Sequence, residues 1–93
     1  MNQEKDIDKL YLSGKMYLPN EDILLCDIQN ISIDTRQKVY VTKKGTFYIL
    51  QLSPYKHEAR VISRDEALTI LEQNPVYIIT KNYDLVFGKP ERG

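Results

Sequence analysis

The chain holds one cysteine and one histidine, the thiol of Cys26 and the imidazole of His57, the side-chain types most ready to attack carbon or shuttle protons near neutral pH. A nucleophilic cysteine needs a low-pKa thiolate beside a base in electropositive surroundings. Cys26 instead follows the apolar pair Leu24-Leu25 and precedes Asp27, whose charge raises a thiol pKa. It reads as a small core residue. His57 stands in the polar run Lys56-His57-Glu58 and reads as an exposed loop residue. A metal site built on one His and one Cys needs carboxylates to complete it. The aspartates Asp6, Asp8, Asp22, Asp27 and Asp34 are spread along the chain, as solvated or helix-terminal acids are. The four glycines, Gly14, Gly45, Gly88 and Gly93, never cluster into a phosphate loop. The expectation is no catalytic residue, no metal, no cofactor and no enzyme activity; a small enzyme of uncharacterised type is the third reading, after two binding ones.

Those binding readings rest on tyrosine and lysine. The chain has seven tyrosines and no tryptophan. Tyrosine joins a large apolar area to a hydroxyl, which suits interfaces and half-buried sheets alike. Lys38 to Leu52 reads KVYVTKKGTFYILQL, two alternating runs joined by a turn. Lys38, Tyr40, Lys43, Lys44 and Tyr48 are the candidate partner-binding residues, a basic and aromatic surface if nothing covers it. It could contact a protein, or stack bases and hold phosphates. The competing reading packs Tyr40 and Tyr48 internally against Tyr11 and Tyr17.

The element that must position these residues is a hairpin. With Lys43-Lys44-Gly45 as a type I turn and Gly45 left-handed, Thr42 faces Thr46, and Val41, Tyr40 and Val39 pair with Phe47, Tyr48 and Ile49. One face then carries Val39, Val41, Phe47 and Ile49, and the other Tyr40, Thr42, Thr46 and Tyr48. A slip of one residue mixes the two sets, so the pattern selects the register. Upstream, Leu10 to Leu18 around Ser13-Gly14 reads as a short hairpin ended by Pro19, with a helix closing at Gly14 as its rival. Asn20-Glu21-Asp22 followed by Ile23, Leu24, Ile28 and Ile31 gives a candidate helix over 21–30. Downstream, Ala59 to Ile62 reads as a strand. Ser63-Arg64-Asp65-Glu66 is a capping box that opens a helix over 64–73, stopped at Asn74-Pro75. Val76 to Thr80 reads as a last strand, and Tyr83 to Phe87 as a helical turn or extended clamp closed by Gly88. The fold class is α+β: a mainly antiparallel sheet of four to six short strands under one helix, in a single domain over 1–93. Leu68 and Leu71 are expected to meet Val41, Phe47, Ile49 and Ile62.

At 93 residues, with 42% hydrophobic and 28% charged residues, the composition is that of an ordinary small globular domain. Apolar runs fall short of the roughly 20 residues of a membrane helix, and the acidic start MNQEKDIDKL lacks a signal-peptide core. With a single cysteine, the expected compartment is the cytoplasm. The net charge of zero hides a segregation. Residues 1–34 carry three lysines against seven acids, and residues 35–64 seven cations against Glu58 alone. Residues 65–93 carry three cations against five acids. Either the acidic ends fold over the basic middle, or the middle meets an anionic partner. A homodimer through an uncovered strand edge is also in view, at 76–80, which has no charge to blunt it, or at 38–42.

The segments VYVTKKGTFYIL, RVISRDEALTILEQN and YDLVFGKPE together resemble small uncharacterised proteins of Firmicutes-type bacteria and of their phages and plasmids. That family shows a lysine-lysine-glycine hairpin of aromatic strands, an acidic capped helix and a closing Tyr-x-x-Phe-Gly. The resemblance covers roughly 38–91 and departs from the family at the apolar run 76–80. It implies an origin in mobile elements and host conflict, and no residue role. The expected function is a non-enzymatic binding protein, an inhibitor or adapter acting on a host protein; the alternative is a nucleic-acid binder using the hairpin 38–52.

Overall fold

The computed structural model describes residues 8–93; Asp6, one of the aspartates weighed above, lies outside them. Two strands, β1 (Leu10–Leu12) and β2 (Lys15–Tyr17), form the first hairpin, with Ser13 and Gly14 both at positive φ in its turn. Four more follow: β3 (Ile23–Asn30), β4 (Thr35–Val41), β5 (Phe47–Leu52) and β6 (His57–Ile62). They make an antiparallel meander in the order β3-β4-β5-β6. Two helices close the chain, α1 (Arg64–Gln73) and α2 (Thr80–Phe87). The class is α+β, with six antiparallel strands in two sheets among the described residues.

The central hairpin has the register that its pattern dictates, Val41 with Phe47, Tyr40 with Tyr48 and Val39 with Ile49. Thr42 N–H donates to Thr46 O at 2.9 Å, and Gly45 N–H to Thr42 O at 3.0 Å, with Gly45 at φ 87°. The space beside Gly45 is open, so a side chain there meets a torsional penalty and no clash. Gly45→Val is therefore expected to cost about 1–2 kcal/mol in a denaturant titration, the usual excess for an L-residue in left-handed geometry. A loss within experimental error would mean that the turn has another conformation.

The two faces of the meander bury different chemistry. Val39, Val41, Phe47, Ile49 and Ile62 pack under the helices with Leu25, Cys26, Ala67 and Leu71. Tyr40, Tyr48 and Leu50 pack under the first hairpin with Tyr17. On α1 the inward stripe is Ala67, Ile70 and Leu71, an i, i+3, i+4 set. Leu68, expected in the core, sits one step round the helix and is only half-buried. The N-cap is as expected, Ser63 Oγ accepting from Glu66 N at 3.0 Å. The reciprocal half of the box differs, because the Glu66 carboxylate accepts from Arg60 at 2.7 Å.

Two expectations are corrected. The candidate helix over 21–30 is strand β3. A bulge between Leu24 and Cys26 turns both Leu25 and Cys26 into the core, so the apolar residues lose strict alternation and imitate helical spacing. Asn20-Glu21-Asp22 is a tight turn instead of a cap, with the N–H groups of Glu21 and Asp22 both donating to Leu18 O at 2.9 Å. The second correction is the run 76–80, which forms no strand. Pro75 opens a 3-10 turn (Pro75–Tyr77), Ile78 makes one isolated bridge to Cys26, and α2 begins at Thr80. This segment clasps the outer edge of β3: Ile79 N–H donates to Leu25 O at 2.9 Å, and the Asn82 side-chain amide to Leu24 O at 2.7 Å. Neither proposed dimer edge survives, since 38–42 falls mostly in β4, between β3 and β5.

Candidate functional site

The first hairpin lies over the tyrosine face because that face is half polar and needs an amphipathic cover. Tyr17 supplies it: its ring centroid is 5.0 Å from that of Tyr48, while Tyr40 stacks on Tyr48 at 5.1 Å with 14° between planes. The turn at 18–22 then brings Asp22 over the Tyr48 ring edge. The Tyr48 hydroxyl donates to Asp22 Oδ2 at 2.7 Å, and Leu18 N–H donates to the same oxygen at 3.3 Å. Burial, and then this carboxylate, push the Tyr48 phenol well above its ordinary range. It stays neutral and donates its hydrogen bond throughout the physiological range.

Where β2 and the 18–22 turn stand away from the tip of the central hairpin, they leave an open cleft of about 490 Å³. Lys15, Lys43 and Lys44 line it, with Thr42, Thr46, Glu21, Asp22 and the apolar side of Met16. A cleft of this size suits a short segment of chain or a small ligand. Among the described residues, neither Lys43 nor Lys44 lies within ion-pair distance of a carboxylate. Thr42 Oγ1 accepts from Thr46 N at 3.1 Å, which fixes the tip that carries them.

Of the candidate partner-binding residues, Lys43 and Lys44 come together at this cleft. Tyr40 and Tyr48 do not join them at the surface. They are 6% and 0% exposed, so the expected stacking rings are the buried layer under Tyr17. Lys38 lies apart, further down β4 and opposite Asp27 in register. The basic middle is partly covered from both sides: Arg36 pairs with Asp27 on β3, and Arg60 with Glu66 on α1. Lys15 is the cleft residue that sequence reasoning missed. Its signal was the Ser13-Gly14 hairpin itself, which must present Lys15 toward whatever Tyr17 covers.

The chemistry-bearing pair is kept apart. Cys26 is on β3 and His57 on β6, the two opposite margins of the sheet. Cys26 is fully buried, and desolvation pushes its thiol up to about 11, where it is inert as a nucleophile. Among the described residues, His, Cys, Asp and Glu side chains form no group of three that could hold a metal ion. No helix among them is long and apolar enough to cross a membrane. No family model, curated protein or solved structure matches the chain.

Proposed function

We propose that this chain is a non-enzymatic binding protein that takes an acidic, partly apolar segment of a partner protein into the cleft between its two hairpins. The observation that carries the reading is the grouping of Lys15, Lys43 and Lys44 around a cleft of about 490 Å³. Beside it, Tyr11 and Met16 pair across the first hairpin and stand 72% and 52% exposed. A cationic cleft with an exposed apolar patch beside it fits a protein contact. A nucleic-acid partner is the second reading and fits less well, because the rings that would stack on bases are buried. We further place the protein in the cytoplasm as a mobile-element inhibitor or adapter directed at a host protein. A gene neighbourhood of metabolic enzymes would count against that setting.

Replacing Lys43 and Lys44 together with Ser tests the contact. Both side chains are exposed on a turn whose geometry depends on Gly45, so stability should stay within about 0.5 kcal/mol of wild type. Pull-down from host lysate should nonetheless lose its partner. Retention of the same partners by the double variant would refute the lysine-rimmed cleft as the contact. Salt separates the two readings: a phosphate binder loses affinity steeply with ionic strength, a protein contact with an apolar centre far less.

A further inference from the structure

The meander has two margins, and they are treated differently. The β3 margin is clasped by Ile78, Ile79 and Asn82. No described strand pairs with the far side of β6. Which backbone groups this margin offers follows from the ladder. Thr42 N–H bonds Thr46 O, and antiparallel alternation carries the bonded pairs to Tyr40–Tyr48 and Lys38–Leu50. The other residues of β5, Phe47, Ile49 and Gln51, therefore bond to their partners Ile62, Arg60 and Glu58 on β6. The bond from Ser53 N–H to Lys56 O at 2.9 Å continues the same phase. What remains outward on β6 is the N–H and C=O of His57, Ala59 and Val61.

We infer that β6 pairs with β6 of a second copy of this chain, antiparallel about a two-fold axis through Ala59, joining two meanders into one eight-stranded sheet. The register selects itself. With Ala59 opposite Ala59, His57 faces Val61 and all three outward residues of each copy are paired, giving six backbone hydrogen bonds. On the opposite face of the sheet, Glu58 then stands across from Arg60 of the other copy, twice. A shift in either direction that keeps the hydrogen-bond phase puts Glu58 against Glu58 or Arg60 against Arg60. Charges on an edge strand ordinarily blunt it; in the order Glu58-Ala59-Arg60 they admit one partner and reject its misaligned forms. Both charged groups are accessible: the side chains of Arg60 and Glu58 are 56% and 58% exposed, and the pair that Glu58 makes with Lys56 at 3.4 Å lies at the surface, where exchange for another cation costs little. Arg60 keeps donors to spare beyond its bond to Glu66.

This pairing is independent of the cleft. Sedimentation velocity across a concentration series should show the mass doubling. Glu58→Arg or Arg60→Glu alone sets like charges opposite each other twice, and should weaken the dimer about tenfold or more. Mixing the two variants restores both opposite-charge pairs in a mixed dimer, and the doubled mass should return. Ala59→Pro removes an outward N–H without touching the β5 ladder and should also give monomer. A wild-type monomer at every concentration overturns the inference. So does a dimer that both charge variants leave undiminished.

Discussion

Phe47→Ala should lower unfolding free energy by about 3–5 kcal/mol, the usual cost of deleting a buried aromatic ring. The size follows from where the ring sits. Phe47 is 6% exposed, pairs with Val41 on one side and Ile62 on the other, and stacks on Phe87 at 5.7 Å with 12° between planes. Phe87 is in turn held by Tyr83 at 4.9 Å and by the Arg64 guanidinium 5.2 Å above its ring. Truncating Phe47 thus empties the contact between the meander and α2, and the helix cannot slide into the void without giving up its clasp on β3. Domains of this size commonly have about 5–15 kcal/mol in total, so the variant should be largely unfolded at moderately elevated temperature. Tyr11→Ala, on an exposed ring, is the matched control and should stay within about 0.5 kcal/mol. A Phe47→Ala loss below about 1 kcal/mol in urea titrations would mean that this face is not packed beneath the helices.

Tyr48→Phe should cost about 1.5–3 kcal/mol while leaving the packing of the ring intact, because a hydrogen bond to a charged group is lost. The change also alters the response to alkali. The unfolded phenol titrates near its ordinary 10.0, and the folded one, desolvated and bonded to Asp22, well above it. Above pH 10 the unfolded state therefore holds fewer protons than the folded state. Tyr48's contribution is complete below that pH and is lost as pH rises, by about 1.4 kcal/mol per unit. Cys26 adds the same sign earlier, its thiol moving from 9.0 to about 11 on burial. Wild-type stability should accordingly begin to fall near pH 9 and fall more steeply beyond 10. In Tyr48→Phe the steeper limb should shrink, and in Cys26→Ala the onset should move upward. Parallel pH profiles for the three proteins would show that neither group titrates differently on folding.

How far the sequence carries depends on the range of the interaction concerned. The central hairpin and α1 are specified locally, by a turn residue, alternating faces and an N-cap, and they form where these signals lie. The region 21–30 depends on a distant partner. Its bulge makes sense only once β4 lies alongside, and without that partner the apolar spacing fits a helix as well. The run 76–80 is β-branched, yet no strand is left for it to pair with beyond one bridge to Cys26. Lys43 and Lys44 were legible as an exposed basic tip because the turn alone places them. The cleft was not, since it exists only where a second hairpin, 25 or more residues earlier in the chain, is laid beside that tip.

The clasp on β3 also sets an order of events during synthesis. Leu24 and Leu25 leave the ribosome long before Ile79 and Asn82, the residues that occupy their outward carbonyls. Until α2 is free of the exit tunnel, the nascent sheet holds an open strand beside an apolar face that Phe87 has yet to cover. Such a surface attracts neighbouring chains and chaperones. The domain therefore cannot close before α2 has emerged, and a chain truncated after residue 75 would be a sticky fragment instead of a smaller working protein.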